Sequence, residues 1–303
     1  MIPPDQLDLF GSAAPPPPPD ALDAPSPCGL PPGDPNPPGL AIGACAWNHE
    51  SYPGRFYPAG LAQRRWLAYY ARFCNAVEVD ASFYRVPAES TARRWVDETP
   101  GGFTFALKAP RTLTHDAYLA LEDRVARADW EALLALAPVM GERLGAIVLQ
   151  LGPGATVFLL EALQRVVASA PPGLPFVVEF RHPSWNTPEV AAFLREAGVV
   201  RAWSDQYQDP RRGVQEDSPH LFDKTGPFRY VRLLGDVSTK YERGGTRRFT
   251  YGQRLFDREA DKRAWVDRLR PELGDGTPVQ VYINNHYEGF SILTAQDLRR
   301  ALR

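Results

Sequence analysis

Charged side chains recur within or at the ends of short apolar runs of this 303-residue chain. Glu78 lies in the run NAVEVD, Lys108 ends FTFALK, and Glu179 lies in FVVEF just before Arg181. Carboxylates can serve as general acid and base, and a lysine can pair with an anion or form a Schiff base. These four residues are therefore the catalytic candidates, with Glu78 and Glu179 as general acid and base.

The alternation of residue types along each run predicts which side chains meet. Successive side chains of a strand point to opposite faces, so Thr104, Ala106 and Lys108 share one face of their run. The same alternation places His182 away from Glu179. Across the chain it predicts one shared site containing Glu78, Lys108, Gln150, Glu179, Arg181, Arg232 and Asn284.

The cations of this site indicate an anionic ligand. Guanidinium groups such as those of Arg181 and Arg232 bind phosphate or carboxylate through paired hydrogen bonds. For each charge alone, a structural ion pair is the alternative interpretation. Nearby aromatic residues, namely Trp47, Tyr84 and Trp185, could stack on a ring or base of the ligand or simply pack at the rim.

Histidine and cysteine spacing gives no sign of a metal or cofactor. The five histidines show neither HxH nor HExxH spacing, and the three cysteines lack CxxC spacing. We therefore predict no cofactor and no metal. The alternative is a metal-dependent hydrolase or nuclease whose ligands come from distant segments, for example Glu78, Glu179, His182 and Asp205.

Strand and helix patterns alternate from residue 40 onward. Helical patterns at 61–73, 129–140, 157–170 and 187–198 separate eight strand candidates, which are 40–45, 75–80, 103–108, 146–151, 176–180, 199–203, 228–234 and 279–284. Eight such units over roughly 260 residues predict an α/β fold, the (β/α)8 TIM barrel, over residues 40–303. An open doubly wound sheet is the alternative, but it usually has a glycine-rich turn after its first strand.

Residues 1–39 differ sharply from the rest in composition. They contain 14 of the 31 prolines and five aspartates but no basic residue, which leaves a net charge of +3 on the remainder. We expect a disordered, proline-rich, acidic tail. It lacks the features of a signal peptide, and no apolar run is long enough to span a membrane, so we expect a cytoplasmic protein without membrane contact.

Seven motifs in order carry a family resemblance. They are GACAWNHESYPGRFYP at 43–58, VEVDASFYRVP at 77–87, FALKAPRTLTH at 105–115, VLQLGPG at 148–154, VEFRHPSW at 178–185, RYVRLLG at 229–235 and VYINNHYEG at 281–289. This series resembles the YecE-like TIM barrels, a family of unknown function. The resemblance spans residues 40–303 and implies a barrel with a polar mouth.

The resemblance also implies which residues line that mouth, and where this chain departs from the family. Ala44 and Cys45 stand where Thr and Ser are usual, Asp80 where asparagine is common, and Leu234 where histidine is common. If that histidine is catalytic elsewhere in the family, this chain acts differently or is inactive. The implied residues are Glu78, Phe83, Tyr84, Arg85, Lys108, Pro110, His115, Gln150, Glu179, Arg181, His182, Trp185, Arg232, Asn284 and Asn285.

The pentapeptide QLDLF lies inside the expected tail. It resembles the motif by which bacterial DNA polymerases and repair proteins dock on the sliding clamp, with Gln6, Leu7, Leu9 and Phe10 as the contact residues. A mobile segment with apolar anchors suits such docking, and a proline-rich spacer would keep the barrel close to the partner. The alternative is a short amphipathic start that packs on its own barrel.

Two classes of function remain open from the sequence. The first is an enzyme, whether hydrolase, lyase or isomerase, that acts on a phosphate- or carboxylate-bearing small molecule or on nucleic acid brought to it by the clamp. The second is a non-catalytic module that binds a ligand or nucleic acid. In both, we expect the ligand to contact Trp47, Tyr84, Arg85, His115, Gln150, His182, Trp185, Asp205, Arg232, Asn284 and Asn285.

Overall fold

The computed structural model describes residues 20–33, 36–205, 219–235 and 250–303. Within them, eight parallel strands close into a barrel in chain order, which confirms the predicted TIM barrel. The strands are β1 Leu40–Ala44, β2 Ala76–Val79, β3 Thr104–Lys108, β4 Leu144–Gln150, β5 Phe176–Glu179, β6 Val200–Ser204, β7 Arg229–Leu233 and β8 Val279–Ile283.

The α-helices of the described residues begin with α1 Asp20–Asp23 in the N-terminal segment. The others are α2 Trp66–Tyr70, α3 Glu89–Asp97, α4 Arg124–Leu134, α5 Ala137–Met140, α6 Leu160–Ala168, α7 Pro188–Glu196, α8 Glu259–Gly274, α9 Asn285–Glu288 and α10 Ser291–Ala301.

Local sequence explains where several of these helices begin and end. The Thr187 side chain accepts a hydrogen bond from the Val190 amide at the start of α7, as its position before Pro188 predicts. The single helix expected over 129–140 is instead divided into α4 and α5. Pro138, which has no N–H to donate, lies in the first turn of α5, so a continuous helix through this point is unfavourable.

Alternation along the strands separates two apolar layers. Val77 and Leu107 pack outward in the cluster beneath the helices, whereas Ala76 and Ala106 belong to the smaller cluster inside the barrel. Glu78 and Lys108 follow the inward residues by two positions, so their strands aim them at the carboxyl end of the barrel. The predicted orientations of these two strands are confirmed.

A side chain completes the pairing between β1 and β2. The Tyr70 hydroxyl accepts a hydrogen bond from the Ala44 amide at 2.7 Å and donates to the Ala76 carbonyl at 2.9 Å. Gly43 makes room for this arrangement, because a Cβ atom there would lie 1.8 Å from the Ala76 oxygen. The barrel thus closes between these strands with the help of a tyrosine from α2.

Part of the expected tail packs on the barrel. The Ser26 hydroxyl donates to the Phe56 carbonyl at 3.0 Å, Tyr69 donates to the Ala24 carbonyl at 3.1 Å, and Leu30 is buried. Proline-rich backbone leaves its carbonyls without internal partners, and side chains of the barrel supply the donors. Ser26 and Leu30 thus contact the barrel, while Pro25, Pro27, Pro31 and Pro32 between and beside them are exposed, as expected for a solvated segment. Residues 1–19, including QLDLF, lie outside the described residues.

None of the helices in the described ranges is long and apolar enough to cross a membrane.

Candidate functional site

Arg232 on β7 lies at the centre of the barrel mouth and is buried. Its Nε and Nη2 atoms donate to the two carboxylate oxygens of Glu78 at 2.9 and 2.5 Å. Its Nη1 atom donates to Gln150 Oε1 at 3.0 Å and to Glu179 Oε2. All three guanidinium nitrogens are therefore engaged with side chains from β2, β4 and β5.

The two carboxylates around Arg232 are also buried. Isolated charges in such surroundings would be strongly unfavourable, so each requires a partner. Although burial opposes its charge, the carboxylates of Glu179 and Glu78 hold the pKa of Arg232 well above its ordinary value. Tyr230 adds a neutral donor, with its hydroxyl 2.7 Å from Glu78 Oε2.

Glu179 stays ionised at neutral pH. Burial alone would raise the pKa of its carboxyl group, but Arg181, Arg232 and Lys108 outweigh burial and lower that pKa to about 2. A group with this pKa holds no proton to donate near pH 7 and accepts one only weakly. Its environment suits a fixed negative charge better than the acid–base role expected from the sequence.

Lys108 and Arg181 lie above the buried network and reach solvent, with 10% and 14% of their side-chain areas exposed. The Lys108 Nζ atom is 3.2 Å from Asp80 Oδ1 and 4.7 Å from the centre of the Phe83 ring. The Arg181 Nη2 atom is 3.0 Å from Glu179 Oε1. These two cations can therefore reach both the buried network and a ligand that enters the mouth.

His115 lies near these cations in the short π-helix Thr112–Asp116 that follows β3. Its Nδ1 atom is 2.9 Å from the Thr114 hydroxyl oxygen, and that hydroxyl donates to the Pro110 carbonyl at 3.1 Å. The Thr114 hydroxyl thus engages Nδ1 of the ring. If that hydroxyl donates to Pro110, it accepts the Nδ1 proton, and the lone pair of the neutral ring lies on Nε2.

The surroundings of His115 keep its ring neutral. Burial lowers the pKa of the imidazole, and the charges of Lys108, Arg181 and Arg111 lower it further. The ring lies against Phe83, with 4.9 Å between centres. A Cβ atom at Gly152 would lie 3.2 Å from His115 Nε2, so the glycine keeps space beside the nitrogen that can accept a proton.

Two residues expected at the mouth instead build the loop after β5. Trp185 is fully buried, stacks on Phe180 with 4.6 Å between ring centres, and donates to the Ala155 carbonyl at 2.7 Å. The His182 Nδ1 atom accepts a hydrogen bond from the Ser184 amide at 3.2 Å. In this conformation, Trp185 presents no ring face to a ligand.

Further expected site residues hold neighbouring loops in place. Asp205 accepts hydrogen bonds from the Leu234 and Gly235 amides at 2.8 and 2.7 Å. Asn284 accepts from the amide of His286, and Asn285 Oδ1 accepts from the Tyr52 hydroxyl at 2.8 Å. Trp47 is buried in edge-to-face contact with Trp95. These four residues therefore have structural contacts that do not depend on a bound ligand.

Tyr84 and Arg85 are exposed on the loop after β2, where the sequence analysis expected ligand contacts. Cys45, at one of the departures from the family pattern, lies buried beneath the mouth. Burial, followed by the charges of Glu78 and Asp80, raises the pKa of its thiol well above the ordinary value. The thiol is therefore protonated and unreactive at neutral pH.

The zinc alternative is not supported by the side-chain arrangement. Within the described ranges, no three His, Cys, Asp or Glu side chains converge in a way that could hold a metal ion. Asp205 holds backbone amides and His182 holds the Ser184 amide, while Glu78 and Glu179 hold Arg232. The suggested ligands are thus divided among separate structural tasks.

Sequence reasoning missed two aromatic residues near the mouth. Tyr230 precedes Arg232 by two positions on β7, so strand alternation could have placed it below the arginine, next to Glu78. Tyr118 lies in the loop after β3 with a positive φ of 49°. No periodicity marks such a loop residue, and its sequence neighbours give no turn signal that favours this conformation.

A family model described as "Protein of unknown function DUF72" matches residues 41–303. The chain therefore belongs to this family. It is similar to UPF0759 protein YecE of Escherichia coli O157:H7, at 29% identity over 181 residues that cover 60% of this chain and 62% of YecE. For UPF0759 protein YunF of Bacillus subtilis the identity is 26% over 181 residues, covering 56% of this chain and 61% of YunF. The matches span about three fifths of these relatives.

Solved structures share the fold. A DUF72 family protein from Thermotoga maritima superposes with a TM-score of 0.68 at 24% identity, covering 87% of this chain and 98% of that chain. One from Enterococcus faecalis gives 0.66 at 19% identity, covering 87% and 95%. At these identities the likeness establishes the fold alone.

The lowered pKa of Glu179 predicts an acid-sensitive contribution to stability. A carboxyl with a folded-state pKa of about 2 stabilises the fold above its unfolded value, near 4.5, and this contribution is lost as the pH falls toward 2. We expect Glu179→Gln to flatten the dependence of unfolding free energy on pH between pH 5 and 3, measured by urea denaturation. The exposed Glu89→Gln is the control, and equal slopes in wild type and Glu179→Gln would contradict the prediction.

Proposed function

We propose that this member of the DUF72 family is an enzyme that binds the phosphate or carboxylate of its substrate at Lys108 and Arg181 and uses His115 as a general base. The observation that carries the proposal is a neutral imidazole with an acceptor nitrogen beside two cations at the barrel mouth. Active sites of TIM barrels lie at this end of the strands.

Arg232 has a structural role in this proposal. Its three nitrogens already bind Glu78, Glu179 and Gln150, so an anion would have to compete with these buried side chains for it. The anion site therefore reduces to the two cations nearer the solvent, Lys108 and Arg181. We assign Glu78 and Glu179 as the fixed charges that hold the cations in position.

Ligand binding would prepare the base. The pKa of His115 is low because its ring is partly buried and close to Lys108, Arg181 and Arg111. An anion bound between these cations offsets their charge, so the affinity of Nε2 for a proton rises when the substrate is present. The histidine is thus neutral and ready to accept a proton before binding, and a stronger base after it.

Asp80 limits the strength of the anion site. Its carboxylate is 3.2 Å from the Lys108 ammonium and 35% of its side-chain area is exposed, so it competes with an incoming anion. The resemblance noted in the sequence implies an asparagine at this position in many relatives. Replacing Asp80 with asparagine removes the competing charge while keeping the size of the side chain.

We expect inorganic phosphate to raise the pKa of His115, followed by NMR titration of the imidazole carbons. Lys108→Met should raise that pKa in the absence of phosphate and weaken phosphate binding about tenfold, whereas Asp80→Asn should tighten binding. Lys224→Met, which removes the partner of Glu272, is the matched control. A His115 pKa that responds neither to phosphate nor to Lys108→Met would contradict the proposed site.

A non-catalytic binding module would show the same titration without turnover. Hydrolysis of p-nitrophenyl phosphate and of its diester is a first test for enzymatic phosphate chemistry, with His115→Asn expected to abolish turnover and retain phosphate binding. Binding of phosphate without turnover of these or other phosphate and carboxylate esters would favour the binding module.

We also propose that QLDLF docks the protein on the bacterial sliding clamp. Its support is the match of Gln6, Leu7, Leu9 and Phe10 to the docking motif, in a segment with five nearby aspartates and no basic residue. Ten chain steps separate Phe10 from Asp20 and span at most about 35 Å. Since Ala24 and Ser26 are hydrogen-bonded to the barrel, docking would hold the barrel close to DNA.

The full chain is expected to bind purified sliding clamp with micromolar affinity in surface plasmon resonance. The double variant Leu9→Ala/Phe10→Ala should abolish binding because it removes both apolar anchors. Ile2→Ala, an apolar change outside the pentapeptide, is the control. The docking proposal fails if wild type does not bind, or if it binds no better than the double variant.

A further inference from the structure

Three large aromatic side chains are exposed on consecutive loops at the mouth end of the barrel. Tyr84 follows β2 with 56% exposure, Tyr118 follows β3 with 50%, and Phe158 follows β4 with 93%. Aromatic rings normally bury most of their surface, so a group of exposed rings on one side of a protein indicates a binding surface.

Contacts link these rings to the proposed site. The Tyr84 ring lies 5.1 Å from that of Phe83, and Phe83 lies 4.9 Å from His115. The loop after β4 approaches both His115 and Tyr118, because a Cβ atom at Gly152 would lie 3.2 Å from His115 Nε2 and one at Gly154 would lie 3.6 Å from the Tyr118 hydroxyl. We call Phe83, Tyr84, His115 and Tyr118 the aromatic row.

The backbone holds Tyr118 outward at an energetic cost. Tyr118 and Leu119 have φ angles of 49° and 68°, in the left-handed region that residues with a Cβ atom rarely adopt. Leu119 is buried, and its amide donates to the Leu113 carbonyl at 2.8 Å. The turn thus anchors the Leu119 side chain in the core and leaves the preceding Tyr118 ring exposed to solvent.

Positive charge accompanies the row. Lys108 lies over the Phe83 ring at 4.7 Å, and Arg111 lies on the loop that carries His115, with its Nε atom 3.2 Å from Asp116. Arg85 is exposed directly after Tyr84. Several aromatic faces beside basic side chains fit an anionic partner that carries several flat rings.

We infer that the aromatic row binds single-stranded nucleic acid, with bases stacked on Tyr84 and Tyr118 and one backbone phosphate at Lys108 and Arg181. The inference rests on the proposed anion site and names its substrate class. Single strands expose their base faces, whereas a duplex hides them by internal stacking. Two exposed rings on separate loops, Tyr84 and Tyr118, exceed what one nucleotide would need.

The test is fluorescence anisotropy of a labelled twelve-residue oligothymidylate with the full chain. We expect binding that weakens as salt rises and that falls about tenfold in Tyr84→Ala and in Tyr118→Ala, because each ring supplies one stacking contact. Val125→Ala, which shortens an exposed apolar residue of α4 outside the row, should bind like wild type.

Each contrary result overturns a defined part of the inference. Equal binding by wild type and both tyrosine variants would exclude stacking on the row, and thymidine monophosphate binding as tightly as the oligonucleotide would exclude a strand. If phosphate shifts the His115 titration but the oligonucleotide does not bind, the inference fails and the anion site stands. If neither ligand binds, both fail.

Discussion

The buried guanidinium of Arg232 is the constraint on which the barrel mouth depends. It joins β7 to β2 through Glu78, to β4 through Gln150 and to β5 through Glu179. β7 pairs directly with none of these three strands, so Arg232 connects them only across the interior of the closed barrel. Since none of the three charges is stable alone in this environment, barrel closure and assembly of the network require each other.

This network determines which charged side chains at the mouth are already engaged and which can still contact a ligand. It fixes the charge of Glu179, whose pKa of about 2 leaves the carboxylate without a proton. Lys108 and Arg181 are tied to the network at one end and accessible from solvent, and their charges help to keep His115 neutral. A buried ion network contributes little net stability compared with apolar packing, so its presence at a barrel mouth is better explained by function.

The sequence predicted the fold and the inward-facing residues because both follow from local periodicity. Strand alternation points Glu78, Lys108 and Arg232 into the same end of the barrel, independently of the contacts that these side chains make. It could not show that Arg232 binds the carboxylates, because that depends on distances across the barrel. Loop residues such as Trp185 carry no periodicity, so their burial could not be predicted. Proline content likewise gave no sign that Ser26 and Leu30 pack on the barrel. The inward-facing side chains could thus be predicted from the sequence, but their partners could not.

The free energy of unfolding of Arg232→Met tests the central claim most directly, measured by urea denaturation beside the triple variant that also carries Glu78→Gln and Glu179→Gln. Removing the guanidinium leaves two buried carboxylates with less compensation, so the single variant should lose about 3–5 kcal/mol. The triple variant should recover most of that loss, because it removes the charges as well. A single variant as stable as wild type, or a triple variant no more stable than the single one, would contradict the account.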